Sequence, residues 1–199
     1  MTYCCGTSVA AVIRDEVGRV LLLHRAWWPY GWAWPAGHGA DEDQASMEAA
    51  RDAEVAEEVG LTVVSADLVV DGRHLPNLCS APPATSPGHR WWIWTVEASG
   101  ALAPSATETR GAGWYTPTEV AELAEVTIRQ AWDLGPDGYA AAAAAGTLEP
   151  GLEAVMVEHA AYLGHIHATR SERDAVARIY TMAPPTYWTA DLPTAGTRP

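Results

Sequence analysis

The chain alternates between short apolar runs and polar punctuation, and the periods of these runs predict its elements. Ser8–Arg14 is rich in Val, Ile and Ala and predicts a strand. Asp15-Glu16-Val17-Gly18 reads as a turn, because Gly tolerates the positive φ that a tight turn demands. Val20–His24 is the returning strand, so the two are expected to form a β-hairpin. Ala26–Ala40 scatters four tryptophans among prolines and glycines, which predicts a loop around a short strand. Ser46–Val59 then reads as a helix, with Ser46 as N-cap, an Ala- and Glu-rich interior and Gly60 as the stop.

Beyond that helix, Leu61–Val70, Arg90–Glu97 and Gly113–Tyr115 predict strands, with a proline-rich loop over Leu75–Gly88. Thr116-Pro117 opens a helix through Leu123, with Pro where its missing N–H costs least. Val126–Leu134, Gly151–Leu163 and Ser171–Tyr180 predict further helices, and Ala140–Ala145 adds a run of strong helix formers. Pro184–Pro199 reads as an extended tail.

Composition narrows the function classes. A net charge of −13 argues against nonspecific binding to nucleic acid or an anionic membrane, while leaving phosphate chemistry open if a divalent cation intervenes. All 12 basic residues are arginine, which excludes Schiff-base and P-loop lysine chemistry. No apolar stretch approaches the ~20 residues of a membrane span, and the N-terminus lacks the charged region of a signal peptide. The expectation is a reduced, cytoplasmic protein. The three cysteines, Cys4, Cys5 and Cys79, make no C-x-x-C knuckle. Together with His74 and His89 their spacing fits no standard zinc site, so none is expected.

The chemistry concentrates on the helix ending Glu54-Val55-Ala56-Glu57-Glu58-Val59-Gly60-Leu61. Positions i, i+3 and i+4 share one helical face, so Glu54, Glu57 and Glu58 crowd three carboxylates together. Mg²⁺ prefers such oxygen ligands. Taken alone, the same spacing also describes a solvated acidic face.

The flanking residues decide. The eight residues Glu54–Leu61 match the end of the Nudix box, G-x5-E-x7-R-E-U-x-E-E-x-G-U, without a gap. Leu21–Arg25, then Trp34-Pro35-Ala36-Gly37-His38, is similar to the segment before the box, and Glu108 standing six residues before Trp114 is similar to a late strand of that family. The resemblance to the Nudix hydrolase superfamily covers residues 7–125. Its first half departs from the pattern. Counting back from Gly60 puts Gly39, Ala45 and Ala53 where glycine, glutamate and arginine belong. Counting forward from Pro35 recovers Gly37, Asp43, Arg51 and Asp52, two residues out of step with Glu57. Two residues inserted in a helix would rotate its register by about 200°, so the insertion is placed in the loop between Gly37 and Ser46. Ala53 is then a true departure, and Arg51, on the face of Glu54 and Glu58, is the candidate replacement for the box arginine.

The resemblance implies an α/β/α sandwich with a mixed sheet and added C-terminal helices, divided into a catalytic domain over 1–165 and an extension over 166–199. It implies a Mg²⁺-dependent (or Mn²⁺-dependent) hydrolase of a diphosphate bond, acting on a nucleoside diphosphate linked to another moiety. The rivals are a binder without hydrolysis, which Ala45 and Ala53 permit, and a hydrolase of a non-nucleotide diphosphate in a specialised pathway. Glu54, Glu57 and Glu58 would hold metal, with the carbonyl of Ala36 as a further ligand. Glu57, Arg51 and Glu108 would be the catalytic group, with Glu108 as general base. Arg25 would clamp a phosphate, and Trp27, Trp28, Trp32 and His38 would line the substrate. Each also has a plain structural reading: surface arginine, core aromatic, or loop histidine satisfied by backbone. The expected partner is a small-molecule diphosphate, with a homodimer possible.

Overall fold

The structure is a computed structural model that describes residues 4–39, 45–78, 81 and 87–182. Asp43, Cys79, Ala40, much of the proline-rich loop and the tail after 182 lie outside the described residues. The elements run β1 (Thr7–Ile13), β2 (Val20–Arg25), β3 (Trp32–Ala33), β4 (Ala36–His38), α1 (Met47–Val59), β5 (Thr62–Leu75), β6 (His89–Ser99), β7 (Thr109–Tyr115), α2 (Pro117–Ala145), α3 (Ala154–Tyr162) and α4 (Arg170–Tyr180). The fold is mixed α/β, as expected.

The expected hairpin is corrected. Its turn forms, with Gly18 at φ 83° and Asp15 Oδ1 accepting from the amides of Val17 and Arg19. The strands then part after a single bridge between Arg14 and Val20. β1 enters a four-stranded sheet of order β4-β1-β6-β5, and β2 enters a three-stranded sheet of order β3-β2-β7. Burial explains the parting. Both strands are almost continuously apolar rather than alternating, so each needs cover on both faces and sits inside its own sheet. β1 pairs parallel to β6 and antiparallel to β4, which makes that sheet mixed.

α1 forms where expected. Ser46 Oγ accepts from the Ala49 amide at 3.2 Å, and Gly60 adopts the left-handed conformation (φ 72°) that closes the helix. It packs against β1, β4 and β5, bringing Val55 and Val59 into the core. β5 extends five residues beyond its predicted end at Val70, because register shifts along its pairing with β6 replace strict alternation. The two short helices predicted over 117–134 are one helix with the alanine run, kinked where Gly135 departs from helical φ/ψ before Pro136.

α3 begins three residues later than predicted. Gly151 and Leu152 are drawn instead alongside β3: the Trp32 amide donates to Gly151 O at 2.8 Å, and the Glu153 amide donates to Trp32 O at 2.8 Å. Gly31 sits opposite, where a Cβ would lie 2.8 Å from the Glu153 nitrogen, so the close approach requires glycine. α4 packs on α2 and α3 and contributes Ala175, Val176 and Ile179 to the common core.

Candidate active site

The site is built where α1 faces β4. Antiparallel pairing of β4 with β1, Val9 opposite Gly37 and Ala10 opposite Ala36, fixes the strand under the helix. The Ala36 amide donates to Glu58 Oε2 at 2.8 Å, so this buried carboxylate is oriented by backbone. Gly37 lies against the next carboxylate. A Cβ there would sit 1.7 Å from Glu54 Oε1, so glycine is what allows Glu54 to lie against the strand. Glu57, one position before Glu58, is exposed. The helical periodicity of the three glutamates therefore gives one seated on Gly37, one fixed by Ala36 and one open to solvent. Two of the three carboxylates are thus held against β4, and their oxygens are the donor type that a hard divalent cation takes.

Arg51 is buried at the root of the same helix. Its guanidinium donates to Asp52 Oδ1 (2.6 and 2.8 Å) and lies over the Trp94 ring, 4.9 Å from its centroid. Ala36, expected to offer its carbonyl, is seen to engage Glu58 through its amide.

Glu108 is half-buried at the end of a segment tied to the C-terminus of α1. Ala103 and Ser105 donate their amides to Val59 O and Glu58 O, each at 2.9 Å. Glu108 O accepts from the Ala26 amide at 3.1 Å, and Thr107 O accepts from Trp27 Nε1 at 3.0 Å. The segment thus bridges the box helix to the loop after β2.

Arg25 ends β2 half-buried, with an Nε that has no hydrogen-bond partner among the described residues. It lies in electrostatic reach of Glu153, a buried glutamate whose carboxyl burial pushes up, against the opposing pull of Arg25. The tryptophans divide. Trp32 stacks on His24 (4.8 Å between centroids) and leans on Tyr115, Trp27 is half-buried, and Trp28 is buried against Tyr30 and Tyr139. Trp28, Tyr30, Tyr139, Glu153 and Tyr180 line one cavity between the strand layer and the C-terminal helices.

His38 points elsewhere than expected. Its Nε2 is 3.5 Å from Cys4 Sγ, and its pKa is raised by that contact, against burial, with help from Cys5 and Glu54. His89 Nε2 is 3.0 Å from the same sulfur. The Cys5 thiol is pushed up to about 12 by its hydrogen bond to Cys4 and by burial. Sequence spacing set Cys4, Cys5 and His89 aside as a zinc site and placed His38 with the substrate, and the sheet brings the four near one another. Glu153 was also missed; its signal, an acidic residue before a helix, is indistinguishable from an ordinary N-cap.

A model of the NUDIX domain matches residues 6–133. Comparison with curated proteins gave no match. Similar solved structures include a MutT protein from Methanosarcina mazei Go1, at 22% identity and TM-score 0.46, covering 61% of this chain and 84% of that one. The E. coli dihydroneopterin triphosphate pyrophosphohydrolase is similar at 21% identity and TM-score 0.44 (61% and 88% covered), and a C. elegans Ap4A hydrolase at 19% and 0.39 (58% and 83% covered). The family match spans well over half the chain and contains α1, β4 and Glu108, so the chain belongs to the Nudix family of pyrophosphohydrolases.

Proposed function

We propose that the chain hydrolyses a diphosphate bond with Mg²⁺, in a nucleoside diphosphate linked to another moiety. The observation that carries this reading is the seating of the box carboxylates, Glu58 on the Ala36 amide and Glu54 on Gly37, with Glu57 open to solvent. Glu54, Glu57 and Glu58 would hold the metal, with Ala36 O as a further donor. When bound, the divalent cation neutralises charge developing on phosphoryl oxygens and lowers the pKa of water. Glu108, on the segment anchored to the end of α1, accepts the proton from the attacking water. Arg51 supports the helix from its buried side. Arg25 offers a guanidinium to a substrate phosphate, which it matches in geometry. Trp27 follows in the same loop and Trp32 stacks on the neighbouring His24, so these two aromatics are the candidates to stack on a planar group. His38, directed at Cys4, is left out of the substrate set.

The test is phosphate release from a panel of nucleotide and non-nucleotide diphosphates, with and without Mg²⁺. Mg²⁺-dependent release that Glu57→Gln removes, with circular dichroism unchanged, supports the reading. Full activity in Glu57→Gln and Glu58→Gln would sink it. Release from apolar but not nucleotide diphosphates would move the substrate class.

A further inference from the structure

We propose that Cys4, Cys5, His38 and His89 form a second metal site, separate from the box carboxylates and selective for a thiophilic cation of the zinc type. Three of the four donors converge, and the fourth, His89, reaches the Cys4 sulfur. Cys4 Sγ, Cys5 Sγ and a ring nitrogen of His38 lie within 4.8 Å of one another. Cys4 Sγ is 3.5 Å from His38 Nε2 and 3.0 Å from His89 Nε2, and the two imidazoles stack with centroids 5.8 Å apart. In tetrahedral zinc coordination, with Zn–S about 2.3 Å and Zn–N about 2.0–2.1 Å, sulfur and nitrogen donors stand roughly 3.5 Å apart. Two thiolates and two neutral imidazoles form one of the donor sets that zinc takes.

The backbone places these residues together independently of rotamer. β4, β1 and β6 are neighbours in that order. Ser8 is opposite His38 and Thr7 is opposite Arg90, so Cys4 and Cys5, just before β1, reach the edge where β4 ends and β6 begins.

The surroundings are those of ligands rather than of a chance contact. His89 Nδ1 is 3.1 Å from Asn77 O, so the ring donates Nδ1–H to that carbonyl and turns the Nε2 lone pair toward Cys4. Asn77 is itself held, its Oδ1 accepting from Trp91 Nε1 at 3.0 Å. The Gly6 amide donates to Cys4 Sγ at 3.3 Å, a contact that stabilises a thiolate. The site would pin the end of β4 one residue from Gly37 and two from Ala36, the residues that seat Glu54 and Glu58.

The experiment is metal binding by the full chain, read without reference to activity. Metal-free protein is titrated with Zn²⁺ against a chromophoric chelator and, separately, with Co²⁺ followed by absorption. The expected result is one tight equivalent of zinc, and a cobalt adduct with a thiolate charge-transfer band in the near ultraviolet and the strong visible bands of tetrahedral Co²⁺. Cys5→Ser, at an exposed position, and His38→Gln should each lower zinc affinity by at least ~10²-fold, and Cys79→Ala should not. Excess Mg²⁺ should leave the cobalt bands intact, because a hard cation does not compete for thiolates. A cobalt adduct lacking the thiolate band, or zinc affinity unchanged in both Cys5→Ser and His38→Gln, would overturn the site.

Discussion

Glu58 on the box helix and Glu158 on α3 are both buried, yet the molecule treats them oppositely. Glu158 receives Arg73 and both donor positions of Arg173, at 2.6 and 2.9 Å, so two guanidiniums surround one carboxylate. Glu58 receives a backbone amide at Oε2 and shares its helix face with Glu54 and Glu57. A backbone amide fixes the direction of a carboxylate oxygen, whereas the guanidiniums at Glu158 also bring opposite charge. The C-terminal layer thus uses an acid to join β5, α3 and α4. The box helix keeps its acids on β4, at the place proposed for the metal.

The contrast is broken most directly at Glu108. If it is the base, Glu108→Gln lowers kcat by ~10²–10⁴ with little change in KM, while the midpoint of urea unfolding stays in place. A kcat within threefold of the parent would return the role to the box helix. Gly37→Ala tests the seat. The new Cβ would overlap Glu54 Oε1, so Mg²⁺ affinity, followed by isothermal titration, should fall by roughly 10–100-fold. Unchanged affinity would show that Glu54 does not need its place on β4.

On the other side, Glu158→Ala should cost about 2–3 kcal/mol in urea unfolding. This is below the ~3–5 expected for breaking a fully buried pair, because Arg173 is partly in solvent. Turnover per folded molecule should be unaltered. pH sharpens the same contrast. Burial pushes the Glu158 carboxyl up, but Arg173 and Arg73 outweigh it and hold it below the usual range. Its stabilisation is therefore present above the unfolded glutamate pKa of about 4.3 and is lost as pH falls through the folded value. Glu153 has the opposite sign. Its folded pKa is raised by burial, so its contribution is whole below about pH 4.3 and fades as pH rises through the folded value. Glu153→Gln should accordingly gain stability at neutral pH relative to the parent and lose that advantage in acid, the smallest of these effects. A pH-independent difference between the two would show that the Glu153 carboxyl has the same pKa folded and unfolded.

What the sequence made legible follows from range. α1 and its caps depend on residues within four positions of each other, and they form as the spacing implies. The alternation of apolar runs located the strands, but not that β1 and β2 part into separate sheets, since continuous burial does not name a partner. The helix at Gly151 failed for a similar reason: Trp32, more than a hundred residues away, claims those amides and carbonyls for its own pairing. The cysteine–histidine cluster is the extreme case. Cys4 and His89 are joined by sheet order alone, and no local spacing carries that information.

The pairing of Trp32 with Gly151–Glu153 also bears on modularity. The family match ends at residue 133, which invites cutting the chain there. A fragment stopped at that point would keep α1 and every carboxylate of the cleft. It would also strip the outer edge of β3, leaving the Trp32 amide and carbonyl to water, and it would uncover Trp28 where Tyr139 now packs. An open strand edge beside bare aromatic surface is a template for self-association. The stretch that carries the family's signature thus borrows cover from residues beyond it, and a transplant of the box helix into a shorter scaffold would need its own cover for that edge.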